Sequence, residues 1–174
     1  LAYSDSLTGL PNRRRLYEEL RRLIAEAERY NIEFCVCLYD LDRFKQINDV
    51  YGHTTGDQAL RATADETRRH LRVVDQFGRW GGEEFIILLP QTSVNSALIV
   101  MERVRTSMAA LDAPALPRVT ASFGLTPYIP GDTSETILHR ADLALYSAKA
   151  HGRNCIIVET VQESHDVLDY HVFQ

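Results

Sequence analysis

Apolar positions along the chain fall into alternating helical and strand periods. Leu16, Leu20, Leu23 and Ala27 recur at helical spacing with Arg and Glu between them, so an amphipathic helix is expected from Pro11-Asn12 to about Tyr30. The run from Phe34 to Tyr39 is apolar at every position, as in a central strand covered on both faces. It stops abruptly at Asp40-Leu41-Asp42. A short helix over Gln46–Gly52, closed by its Gly, comes next, and a second is expected from Asp57 to about Leu71 with Leu60, Ala64, Thr67 and Leu71 inward. Leu71–Gly78 and the apolar Phe85–Pro90 flank Gly81-Gly82, which predicts a β-hairpin with the two glycines at the positive-φ positions of its turn.

Beyond the hairpin, Ser93 is the expected N-cap of a helix through Ala110, with Ala97, Val100, Val104 and Met108 as its core stripe. Ala113–Pro117 reads as a linker, and Val119–Tyr128 as a strand interrupted at Gly124. A turn at Pro130-Gly131-Asp132 leads to a helix from about Ser134, carrying Ile137, Ala141, Leu145 and Ala148 inward and stopping at Gly152. Cys155–Val158 is the expected last strand, and residues 160–174 carry no strong pattern. The hairpin breaks a purely parallel design. The fold class expected is therefore α/β, with a mixed central sheet flanked by helices and a palm-like, ferredoxin-like βαββαβ core.

Composition adds little to this and excludes much. At 174 residues, 45% apolar and 25% charged, the chain suits one ordinary globular domain with a full core. We place that domain at residues 1–160, followed by an extension of unread role at 161–174. A net charge of −5 argues against coating a nucleic-acid polymer, so any phosphate site must be local. Cys35, Cys37 and Cys155 lie in strand-like runs without metal or disulfide spacing, which points to buried thiols in a reducing, cytoplasmic setting. No run has transmembrane length, so no membrane contact is expected within this segment. The first residue is not Met, and an N-terminal sensory or dimerising region is expected to precede it.

The candidate chemistry sits where strands end. Folding alone gives no reason to place Glu83 and Glu84 directly after a turn, although polar hairpin tips are common. A turn without side chains would let a phosphate or base approach the backbone. If the strands ending at Asp40 and starting near Glu84 are neighbours, three carboxylates meet at one edge of the sheet. Hard oxygen ligands without His or Cys favour Mg²⁺ or Mn²⁺; the alternative is that Asp40 caps the next helix. Lys45 follows the Asp40 turn, and Lys149 and Arg153 lie four apart at the end of the last helix, on one face. Cation and basic side chains together would offset a triphosphate, though basic residues also suit a helix C-terminus. Asn48 and Asp57 offer donors and acceptors that match a guanine edge, or each is a cap.

These residues carry a resemblance. Asp5-x-Leu7-Thr8-x-Leu10-x-Asn12-Arg13, Asp40-x-Asp42-x-Phe44-Lys45-x-x-Asn48-Asp49, Gly52-His53-x-x-Gly56-Asp57, Arg79-Trp80-Gly81-Gly82-Glu83-Glu84-Phe85, Ser122-x-Gly124 and Ala141-Asp142-x-Ala144-Leu145-Tyr146-x-Ala148-Lys149-x-x-Gly152-Arg153-Asn154 occur in that order. Over roughly residues 4–159 the chain resembles the GGDEF family, the diguanylate cyclases, with Glu83 in the third signature position in place of Asp.

The resemblance implies synthesis of cyclic di-GMP from two GTP, with release of two pyrophosphates. It implies that Asp40, the Leu41 carbonyl and Glu83 hold Mg²⁺ (or Mn²⁺). Asn48 and Asp57 would read guanine with His53 lining the same pocket, and Phe44, Gly81 and Gly82 would complete the substrate site. Lys45, Lys149 and Arg153 would bind phosphates. Glu83 is the implied base, and Glu84 is a second candidate ligand or base because a metal-bound carboxylate is a poor base. Arg72-x-x-Asp75, with Arg103, stands at the family's spacing for an inhibitory product site, although an Arg–Asp pair at a strand start is also common. The product joins two GMP units by equivalent bonds, so catalysis is expected across a homodimer, lasting or transient.

Overall fold

The unbroken apolar run at 34–39 becomes the middle of the molecule. In the computed structural model, which describes residues 2–161 and 170–173, this run forms β1 (Phe34–Leu41). The other strands are β2 (Gln76–Gly81), β3 (Glu84–Pro90), β4 (Ala121–Pro127), β5 (Ile156–Glu159) and β6 (Tyr170–Phe173), in the sheet order β2-β3-β1-β4-β5-β6. All neighbouring pairs are antiparallel except β4 and β5, which makes the sheet mixed, as expected.

Strand alternation sorts the core into two layers. Cys35, Cys37, Tyr39 and Leu41 face one side with Phe85, Ile87 and Leu89, and are covered by α3 (His53–Arg69) and α4 (Val94–Ala110). Phe34, Val36 and Leu38 face the other with Ile86 and Leu88, beneath α1 (Arg13–Tyr30) and α5 (Ser134–Ala150). Tyr39 anchors the first layer: its ring stacks on Phe85 at 5.0 Å, and its hydroxyl meets Thr67 Oγ1 at 3.1 Å. Burial pushes the Cys35 thiol up to about 12 and raises that of Cys37 further, so both are packing groups.

Several boundaries differ from the pattern-based reading, each for a local reason. The hairpin turn is Gly82-Glu83, because Gly81 still pairs with Glu84; only Gly82 has a positive φ (50°), and the register slips at Trp80. α2 (Phe44–Tyr51) and α3 meet at Gly52, whose φ of 87° turns the chain sharply, so α3 starts at His53 and Asp57 lies inside it. Asp40 caps nothing, since residue 43 precedes α2 without a side-chain cap bond. In α4 the fully buried stripe is Ala97, Met101, Val104 and Met108, with Val100 only partly covered. Residues 170–173 add an antiparallel edge strand beyond β5, a pairing with no signature in the local pattern.

β4 runs straight through Gly124. A Cβ there would lie 2.3 Å from the Ala141 carbonyl oxygen and 2.4 Å from the Leu145 nitrogen, so the glycine is what lets α5 lie flat on the sheet. Substituting Gly124→Ala should therefore lower unfolding free energy by roughly 1–3 kcal/mol as overpacking. Urea denaturation followed by circular dichroism measures it; an unchanged midpoint would mean that α5 shifts without cost.

Candidate active site at the end of the sheet

The alternation that buries β1 also determines where its first carboxylate emerges. After Phe34, Val36 and Leu38, the next side chain on the α1/α5 face is Asp40. In register it faces Glu84 of β3, which continues the Ile86–Leu88 face. The Leu41 N–H donates to the Glu83 carbonyl at 3.2 Å, tying the strand end to the hairpin turn. Lys149 of α5 reaches across and donates from Nζ to Asp40 Oδ2 at 3.0 Å. Burial raises the Asp40 carboxyl despite that bond, and the charges of Glu83 and Asp42 raise it further. Glu84 is pushed up to about 7 by burial first, then by Asp142 and Asp40, against the pull of Lys149 and Arg13.

Asp40, Glu83 and Glu84 thus occupy one corner of the sheet. They are not a three-acid cage: among the described residues no three His, Cys, Asp or Glu side chains are grouped closely enough to hold a metal ion by themselves. The donor set that remains is oxygen-only, with one desolvated carboxylate beside another charge of the same sign. A hard divalent cation, completed by a main-chain carbonyl and water, fits such a corner.

The second part of the site is the notch between α2 and α3. A Cβ on Gly56 would lie 1.9 Å from Asn48 Oδ1 and 3.2 Å from the Phe44 ring, so the Asn48 amide lies directly over the backbone of α3. This brings Phe44, Asn48 and Gly56 together, with Asp57 next in the chain and His53 exposed one turn earlier. Lys45 is exposed on α2. Lys149 and Arg153 do not share a helical face: α5 ends at Ala150, and Arg153 stands beyond it at a φ of 65°.

Several residues that hold this geometry had no role in the sequence reading. Asp42 accepts from Thr120 Oγ1 and Ser122 Oγ, both at 2.6 Å, and from the Asn154 N–H at 3.0 Å. Asn154 in turn accepts from Arg105, through its main-chain oxygen at 3.1 Å and its side-chain oxygen at 3.0 Å. The loop carrying Arg153 is thereby tied to the end of β1. Arg79 braces the turn, donating to the Gly82 carbonyl at 2.8 Å and to Asp5 Oδ1 at 3.1 Å, while Asp5 accepts from Thr8. Asp142 lies seven residues before Lys149 on α5, two turns along one face, which was the available signal that it points at the same corner.

A third cluster lies at the start of β2, six residues and roughly 20 Å of strand from the turn. Arg72 Nη2 donates to Asp75 Oδ1 at 2.8 Å, to the Pro90 carbonyl at 3.1 Å and to Thr92 Oγ1 at 2.8 Å. Arg103 donates to the His70 carbonyl at 3.3 Å, which puts both arginines at the same corner.

The chain matches the family described as "Diguanylate cyclase, GGDEF domain" over residues 2–155. It is 40% identical over 156 residues to diguanylate cyclase DgcP of Pseudomonas aeruginosa, an alignment covering 88% of this chain and 23% of DgcP. Its fold is similar to the GGDEF domain of DgcB from Caulobacter crescentus in complex with c-di-GMP (TM-score 0.85, 34% identity, 92% of this chain and 96% of that one). It is also similar to the active GGEEF domain of a diguanylate cyclase from Vibrio cholerae (TM-score 0.77, 35% identity, 82% and 93%). The chain spans only about a quarter to two fifths of the length of the curated relatives it matches. No described helix is long and apolar enough to cross a membrane.

The raised carboxyl of Glu84 has a pH consequence. Its folded value of about 7 lies above its ordinary 4.5, so between those values the folded protein holds a proton that the unfolded chain has released. In chelator-treated protein, Glu84 contributes its stability fully below about pH 4.5 and loses it as pH rises through about 7. Glu84→Gln removes this loss, so the melting-temperature difference between variant and wild type should move in the variant's favour across that window. A difference that stays flat with pH would mean that Glu84 ionises normally.

Proposed function

This chain belongs to the GGDEF-domain family of diguanylate cyclases, and on that premise we propose that it condenses two GTP into cyclic di-GMP with release of two pyrophosphates. The observation that carries the reading is the register that sets Asp40 opposite Glu84, beside Lys149 and within reach of the Gly82-Glu83 turn. Asp40, the Leu41 carbonyl and Glu83 would hold Mg²⁺ or Mn²⁺. When bound, the cation offsets negative charge on the reacting phosphates.

The chain's own groups do the rest. Phe44, Asn48, His53 and Asp57 form the guanine notch, where Asn48 and Asp57 read the base edge. Gly81 and Gly82 leave the backbone open to the nucleotide. Lys45, Lys149 and Arg153 bind phosphate oxygens, and Lys45 also offsets charge that develops in the transition state. For Lys149 this means sharing its ammonium between Asp40 and the substrate. Glu83 is the base that the family resemblance implies, and Glu84, opposite Asp40 in the register, is the second candidate to accept the 3′-hydroxyl proton. The 3′ oxygen of one nucleotide attacks the α-phosphorus of the other, the bond to pyrophosphate breaks, and the second linkage forms likewise. One domain offers one nucleotide site, so a two-fold homodimer brings the two halves together.

Arg72, Asp75 and Arg103 form a product site on this reading, with both arginines on phosphates or guanine and Asp75 on a guanine edge. Arg72 is engaged by Asp75, Pro90 and Thr92, so the product must share or displace those bonds.

Incubation of the purified chain with GTP and Mg²⁺, with nucleotides resolved by chromatography, tests the whole reading; absence of cyclic di-GMP at high protein concentration would refute it. Glu83→Gln should remove turnover by about two orders of magnitude or more while the melting temperature holds, because the amide keeps the shape and loses the charge. Near-normal turnover would take Glu83 out of the site. Arg72→Ala should leave the initial rate nearly unchanged but extend product accumulation and weaken cyclic di-GMP binding by calorimetry. Identical progress curves with added product would make the Arg72–Asp75 pair purely structural.

A further inference from the structure

Behind the phosphate-binding corner lies a pocket of about 510 Å³, of whose lining the proposed reaction uses Arg153 alone. Its walls come from α2, from the segment leading into β4 and from the turn after α5. Three of its lining side chains are arginines: Arg43, Arg118 and Arg153. Arg43, Gln46 and Val50 recur at helical spacing and look away from Lys45, so the pocket is on the far side of α2 from that lysine.

The charge balance of this pocket is unusual for an acidic protein. Its one acidic lining residue is Asp42, which is 8% exposed and spends its oxygens on Thr120, Ser122 and the Asn154 N–H. Among the described residues no carboxylate pairs with Arg43, Arg118 or Arg153, whereas Arg79, Arg105 and Arg140 each have one. Three unpaired guanidinium groups around one concavity repel one another, and an anion is what relieves that repulsion. Arg43 and Arg153 hold left-handed backbone at φ 53° and 65°, and Asn154, next to Arg153, is tied to both Asp42 and Arg105. Guanidinium forks suit the paired oxygens of phosphate.

We propose that this pocket is an anion site for inorganic pyrophosphate, a berth that receives the leaving group through Arg153 before it departs to solvent. The identity of the occupant rests on the cyclase reading: Arg153 is the residue common to the phosphate-binding set and the pocket, and each GTP consumed frees one pyrophosphate there. Arg43 and Arg118 supply the charge that the triphosphate set does not. A nucleotide's own diphosphate tail has the same chemistry, and the two sources are separable by experiment.

The 174-residue chain is titrated with inorganic pyrophosphate at fixed Mg²⁺, by calorimetry or phosphorus NMR, as wild type and as Arg43→Ala/Arg118→Ala. The titration is repeated with a non-cleavable GTP analogue. Both side chains are exposed, and melting curves verify that the double variant is folded. The expected result is a loss of pyrophosphate affinity of tenfold or more, exceeding the loss for the analogue. Equal losses for both ligands would put the two arginines on the bound triphosphate and overturn a separate berth. No loss, or no pyrophosphate binding by wild type, would overturn it as well. Cyclic di-GMP formation is followed in the same preparations, so failure of the cyclase reading appears there and not in the pyrophosphate titration.

Discussion

Burial of β1 on both faces is the constraint from which the site follows. A strand with apolar side chains at every position from Phe34 to Tyr39 can only be central, and its register against β3 is then strongly specified. A slip by one residue would send Val36 and Leu38 from the α1/α5 layer to the α3/α4 layer and turn Asp40 away from Lys149. The same register that packs the core therefore points Asp40 and Glu84 at one face. Stability and placement of the carboxylates are two consequences of one alternation.

Around that corner the chain uses polar braces in place of further apolar packing. Asp42, buried among Thr120, Ser122 and Asn154, ties the loop after α5 to the end of β1. Arg79 ties the hairpin turn to Asp5 in the N-terminal loop, and the guanidinium of Arg13 lies 4.7 Å over the Trp80 ring beside it. Arg140 and Asp132 form a buried pair, 2.6 Å between Nη2 and Oδ2, that clamps the start of α5 to the end of β4. Such pairs add little net stability against apolar substitutes, but leaving either partner alone would be costly, so each admits one arrangement of its loop. A loop that positions side chains such as Arg153 needs that single arrangement more than it needs extra stability.

The electrostatics divide along α2. On the sheet side, burial raises the Asp40 and Glu84 carboxyls, the charges of Glu83 and Asp42 add to it at Asp40 and those of Asp142 and Asp40 at Glu84, and Lys149 is the nearby cation. On the other side, Arg43, Arg118 and Arg153 line a pocket with no free carboxylate among its lining residues. A chain of net charge −5 thus presents a negative corner and a positive pocket a helix apart.

Much of this was legible in the chain itself. The helical stripe of α1, the central place of β1 and the hairpin follow from periodicities of 3.6 and 2, which depend only on neighbours along the chain, and the ordered motifs carry the family resemblance. The carboxylates and the lysines could be named by residue type and spacing, and the RxxD cluster through the family resemblance. What the tertiary structure decided was contact between elements distant in sequence. That Gly124 is needed for the approach of α5, that Asn48 lies over Gly56, and that Asp42 holds Asn154 across 112 residues are facts of packing that no local window contains. The end of α5 at Ala150 separates Lys149 from Arg153, sending one to Asp40 and the other to the arginine pocket. The strand at 170–173 exists because β5 offers an open edge to pair with, a condition set by the sheet and not by those four residues. Local chemistry is determined by the sequence; which groups share a site is determined by the register and packing that bring them together.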